Sequence, residues 1–125
     1  NLDEAGHPWT GVAILRERGY PEDLSDAILG HAPFTKHPRT TRLAKTLFAV
    51  DELCGIITAI GYVRPNKLDG LEPSSVRKKL KDKAFARNVS REDIRLGIQE
   101  LGVDESEHIA LVIAAMQGIR GELGF

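Results

Sequence analysis

Cysteine is almost missing from this sequence: Cys54 stands alone in 125 residues. A lone thiol excludes an internal disulfide and any cysteine-based zinc cluster, and it accords with a reducing compartment, so the cytoplasm is the expected location. No positively charged start leads into an apolar segment, so no secretory signal is visible. The longest apolar run, from Leu43 through Ile60, is broken by Asp51 and Glu52, and no stretch is expected to enter a membrane. Strand-type alternation, internal repeats and low-complexity tracts are lacking too. What remains is the composition of an ordinary globular chain, 42% apolar and 28% charged, long enough to bury a core without metals or disulfides as staples. A single all-α domain over residues 1–125 is the expected architecture. The chain starts at Asn1 rather than Met and enters a helix almost at once, which suits the C-terminal part of a longer protein.

Charge is nearly balanced in total but not along the chain. Residues 64–91 carry nine Lys and Arg against three Asp and Glu, whereas residues 92–125 carry two against seven. The basic stretch either meets phosphate groups or forms a solvated face paired with the acidic tail. No aromatic residues are interleaved with "RKKLKDK" for base stacking and no nucleic-acid motif occurs, which argues against nucleic acid as the partner.

Helix signals punctuate the sequence. Pro8 suits the first position of a helix over about 8–18, with Val12, Ile14 and Leu15 as its apolar face and Gly19 as its stop. Pro21 with Glu22 and Asp23 opens a second helix, about 21–30, burying Leu24, Ala27 and Ile28 before Gly30. "HAPFTKHPRT" reads as a loop of about ten residues. Residues 40–62 are apolar nearly all round, as in a central helix covered by others. Pro73 starts one or two short basic helices. Ser90 and Asp93 resemble a capping box ahead of Ile94, Ile98 and Leu101, and Asp104 caps a last helix with Ile109, Val112, Ile113 and Met116 inside. His108, near the start of that helix, reads as a surface or capping residue.

Asp51 is the residue that demands an explanation. Its helical neighbours Leu47, Phe48, Cys54 and Gly55 carry no charge, and a buried carboxylate costs several kcal/mol unless it is paired. Its partner is either a backbone amide or an arginine such as Arg39 or Arg42, or a cation held with His7 and His31. If the first two helices form a hairpin, both imidazoles emerge at one end, and imidazole with carboxylate is a common ligand set for divalent metals. Trp9 and Phe34 flank the histidines, with core packing as their expected role, and Cys54 reads as an inert thiol.

The segments "HPWTGVAIL" (7–15), "ILGH" (28–31) and "LFAVDEL" (47–53), in this order and at these intervals, resemble the later motifs of the HD-domain metal-dependent phosphohydrolase superfamily. The run "FAVDELCGIITAIGYVRPNK" and then "SVRKKLKDKAFARNVSRED" is similar to a group of small, stand-alone predicted HD hydrolases, and the likeness covers essentially the whole chain. The resemblance implies a helical bundle of the HD type with a central buried helix near 40–62. It also implies hydrolysis of a phosphate ester or nucleotide with a divalent metal ion, Mn, Co, Ni, Zn, Fe or Mg. By it, Asp51 is a catalytic metal ligand, and His7 and His31 match the histidines that serve a second ion. Arg64, Lys67, Lys36 and His37 are candidates for substrate contact by their placement. The departure is the absence of any His-Asp dipeptide, which the superfamily carries upstream of these motifs. The chain is therefore either part of a longer hydrolase or a degenerate, non-catalytic helical domain with a binding or assembly role.

Overall fold

A computed structural model describes residues 6–125. The chain is all-α, with six helices and one 3-10 turn and no strand among the described residues: α1 (Trp9–Glu17), α2 (Glu22–Gly30), the turn Pro33–Thr35, α3 (Arg42–Val63), α4 (Pro73–Lys81), α5 (Arg91–Leu101) and α6 (Glu105–Gly118). Two compact units are formed, Asn1–Phe48 and Ala49–Phe125.

In the first unit Gly19 takes a left-handed φ of 78°, which stops α1, and Pro21 starts α2 two residues later. The short link folds α2 back against α1. Val12, Ala27 and Leu29 are buried, but Ile14, expected on the inner face, is 44% exposed: α1 is too short to bury more than a narrow stripe. The proline-rich loop after α2 is held by side chains. The Thr35 hydroxyl donates to the Leu29 carbonyl at 2.7 Å and accepts the His37 amide at 3.2 Å. Arg39 Nη1 donates to the Gly30 carbonyl at 2.8 Å, and its guanidinium lies 3.7 Å from the centre of the Phe48 ring. Gly30 is required here, because a Cβ on it would stand 2.8 Å from Arg39 Cγ.

In the second unit α3 supplies Leu53, Ile56, Ile57 and Ile60, all essentially inaccessible, to a core completed by residues such as Val76, Ile94, Ile98, Ile109 and Ile113. Each such side chain contributes about 1.5–3 kcal/mol on burial. α5 crosses α3 very closely, since a Cβ on Gly97 would lie 2.7 Å from the Ala49 Cα. His108 is not a surface residue: its ring is 5% exposed and Nε2 sits 3.0 Å from the Ala49 carbonyl, which can only accept, so Nε2 carries the proton. The burial follows from a contact 59 positions away in sequence.

Both expected caps form, with Ser90 Oγ accepting the Asp93 amide at 3.1 Å and Asp104 accepting the Glu107 amide at 3.0 Å. The return arm of the box at Ser90 comes from α3, where Glu52 Oε2 accepts the Ser90 amide at 3.1 Å. The loop between α4 and α5 closes around Arg91, whose guanidinium donates to the carbonyls of Leu80 (3.2 Å), Asp82 (3.1 Å), Ala86 (2.7 Å) and Val89 (3.0 Å). By length and composition alone α3 meets the requirement for crossing a bilayer, because two carboxylates do not offset its aliphatic residues; here those residues form a core.

Two glycines of this unit are expected to respond oppositely to alanine. At Gly97 the Cβ collides with backbone, so Gly97→Ala destabilises by about 1–3 kcal/mol despite the better helix former. At Gly55 the Cβ meets only Val89 at an ordinary 3.7 Å, so Gly55→Ala stabilises by about 0.5–1 kcal/mol. Urea unfolding of the two variants measures both signs. Arg91→Ala removes the one donor that the carbonyls of this loop share and is expected to lower stability by more than about 2 kcal/mol, with loss of amide-exchange protection concentrated in residues 82–90.

Candidate functional site

The first unit brings His7 and His31 together. His7 directly precedes Pro8, the N-cap of α1, and His31 directly follows α2, so the hairpin places both rings at one end. Their Nε2 atoms are 3.3 Å apart, with the rings edge to face at 73° and 5.1 Å between centroids. His31 Nδ1 contacts the Ile28 carbonyl. A carbonyl only accepts, so Nδ1 carries the proton, and in the neutral ring the Nε2 lone pair points at His7. Without a cation, His7 Nε2–H donates into that lone pair.

Two imidazole nitrogens sharing one ion at about 2.0–2.1 Å lie about 2.8–3.0 Å apart in octahedral arrangement and about 3.3–3.4 Å apart in tetrahedral arrangement. The observed 3.3 Å matches the tetrahedral value. The Ile28 carbonyl is also the kind of outer partner that fixes the tautomer of a metal-binding histidine. This donor pair therefore fits a divalent cation once His7 moves its proton to Nδ1, and His7 is exposed enough to do so. No group of three or more His, Cys, Asp or Glu placed to hold a metal occurs among the described residues.

The remaining candidates of this unit differ in their freedom. His37 Nε2 is 3.0 Å from Asp26 Oδ1, so His37 is engaged in a half-buried pair. Lys36 ends the 3-10 turn in a left-handed conformation (φ 57°) and is exposed. Trp9 and Phe34 do not lie in a core as expected; they meet edge to face at 5.6 Å, with Phe34 44% exposed, because α1 and the turn are too short to cover them.

Asp51 belongs to the second unit, and it is exposed rather than buried. The reason lies in the angular order of α3: Leu53, Ile56, Ile57 and Ile60 occupy one side, and Asp51, Gly55 and Tyr62 fall on the opposite one at 100° per residue. Asp51 has no hydrogen-bond or ion-pair partner among the described residues, so neither an arginine nor a backbone amide neutralises it. Its neighbour Glu52, half-buried, holds the Ser90 amide. Of two adjacent carboxylates one is structural and the other is free. Arg64 and Lys67 follow on the same helix and just beyond it; Arg64 Nη1 donates to the Lys67 carbonyl at 2.6 Å, and Lys67 is exposed with φ 56°. Thirteen residues of helix set Arg64 about 20 Å from Asp51 along the axis.

The role of Glu52 was not legible beforehand, because its partner is 38 positions away; the only signal was a glutamate half-buried among aliphatic residues. Comparison with protein-family models, with curated proteins and with solved structures finds no match to this chain.

Burial raises the Cys54 thiol above its usual range, and the Asp51 charge adds to the shift. Cys54 is accordingly expected to react with a disulfide reagent near neutral pH at least about tenfold more slowly than free cysteine. Asp51→Asn accelerates it only slightly, since burial is the larger cause; a large acceleration would reverse that order.

Proposed function

We propose that this chain supplies metal ligands to a phosphohydrolase of the HD type, with His7, His31 and Asp51 as the ligands and Asp51 as the catalytic carboxylate. The observation that carries the reading is the imidazole pair, its Nε2 atoms 3.3 Å apart with His31 held in tautomer by a backbone carbonyl. On the second unit, Asp51 is a free carboxylate on α3 beside one that is already used, which leaves it available as a ligand. A divalent cation held by the histidine pair would supply Lewis-acid polarisation of a phosphoryl oxygen and of the attacking water. The substrate class is a phosphate ester or nucleotide. Lys36, exposed beyond the histidine pair, is the substrate contact on the first unit, whereas His37 acts through its pair with Asp26 to position that loop. Arg64 and Lys67 are too far along the axis of α3 to touch a phosphate at Asp51.

The chemistry of the donors decides the experiment. Titration with Zn²⁺ or Mn²⁺ followed by calorimetry is expected to show one binding event that weakens by at least about tenfold in His7→Ala and in His31→Ala, with helix content unchanged. Asp51→Asn is expected to abolish any metal-stimulated hydrolysis of an aryl phosphate. Unaltered binding in both histidine variants would overturn the reading.

A second reading is a non-catalytic helical module in which the two histidines only bond to each other. It draws on the lack of a three-residue ligand group among the described residues and on the missing His-Asp dipeptide. It predicts no metal binding by the wild type, and a loss of stability of about 1 kcal/mol on removing either ring.

A further inference from the structure

The basic stretch remains after the site is accounted for, and the second unit gathers it into a groove. Ser75 stands three and four positions before Lys78 and Lys79, and Asp82 four and three after them, so all four fall on one side of α4 and its cap. Facing them at the end of α3 are Ile60 and Arg64, and the space between is an open groove of about 520 Å³ that also takes in Lys81. Four cations therefore meet one carboxylate. Arg64 is fixed by its bond to the Lys67 carbonyl, and Lys79 Nζ is 4.6 Å from the centre of the Phe85 ring.

The acidic tail does not neutralise this face. α4 packs on α6 through its other side, where Val76 is buried and Arg77 reaches the Ser106 hydroxyl. Glu92 is taken by Arg95, and Asp69 by Arg120. None of Lys78, Lys79, Lys81, Lys83 or Arg87 has a carboxylate at ion-pair distance among the described residues. A second depression of about 420 Å³ shares Lys81 and continues past Lys83 and Arg87, so the positive surface is elongated. Cations crowded without counter-charges repel one another, and an anion with its charges spaced along a chain relieves that repulsion best.

We propose that this groove binds a linear oligophosphate, free or as the tail of a nucleotide, with Arg64, Lys78 and Lys81 as its principal contacts and Ser75 as a hydroxyl donor. Arg64, its contact on the α3 side, is about 20 Å along the helix from Asp51, so the groove is a separate phosphate site and does not depend on the metal reading.

The test is calorimetric binding of inorganic tripolyphosphate, ATP, orthophosphate and a short single-stranded RNA to the whole chain at low salt, in EDTA so that metal binding plays no part. Tripolyphosphate is expected to bind, more tightly than orthophosphate, and to weaken by at least about tenfold in the Lys78→Ala/Lys81→Ala double variant while Lys78→Arg/Lys81→Arg retains it. Equal affinity for tripolyphosphate and ATP assigns the free chain as the ligand, and tighter ATP binding assigns the nucleotide; either supports the site. The proposal is overturned if tripolyphosphate fails to bind, if the alanine variant binds it as well as the wild type does, or if only RNA binds.

Discussion

α3 has to bury Leu53, Ile56, Ile57 and Ile60 on one side, and that requirement sets the rest of the second unit. Those four side chains fix the rotation of the helix about its axis. Rotation then decides that Asp51 faces water, that Glu52 points sideways to the start of α5, and that Arg64 emerges beside α4. The close crossing at Gly97 and Ala49 locks the same rotation from the α5 side, and His108 adds a bond to the Ala49 carbonyl from α6. Four aliphatic side chains at about 1.5–3 kcal/mol each outweigh what any single polar contact on this helix contributes, about 0.5–1.5 kcal/mol, so the polar residues follow the core.

This order of magnitudes reframes the carboxylate pair. A buried Asp51 would have needed a counter-charge to exist at all, and its partner would have revealed itself as a structural necessity. An exposed Asp51 needs none, so its availability is not enforced by folding. Glu52 shows the contrast, since the cap of α5 uses it. The histidine pair is constrained differently: a helix hairpin with a four-residue link must bring its two outer ends together, and His7 and His31 occupy them. The His31 ring is then set by the last carbonyls of its own helix rather than by any distant group.

Much of the helical layout was legible because its signals are local. Gly19, Pro21, Pro73, Ser90, Gly102 and Asp104 act within a few residues of where they stand, and each marks an observed boundary. The inner faces of α5 and α6 followed from periodicity. What failed to be legible depends on distance or on small residues. The run from Leu43 to Ile60 read as apolar all round because Cys54, Gly55 and Ala59 carry no charge or polar oxygen or nitrogen in a side chain, yet they are small enough to sit on the exposed or half-exposed side, where they leave Asp51 in water. His108, Glu52 and Arg91 bond to partners outside their own helices, and no pattern within one helix reports such contacts. Of the candidate site, the meeting of His7 and His31 was legible from topology, whereas the exposure of Asp51 and the engagement of His37 by Asp26 were not.

The central claim is that the two imidazoles face each other across a distance suited to a shared cation, so the most direct measurement looks at the cation's own neighbours. X-ray absorption at the zinc edge of the Zn²⁺-loaded protein is predicted to show two imidazole ligands with Zn–N distances of about 2.0–2.1 Å, falling to one in His31→Ala. A spectrum with no imidazole contribution, or one that His31→Ala leaves unchanged, would contradict the account.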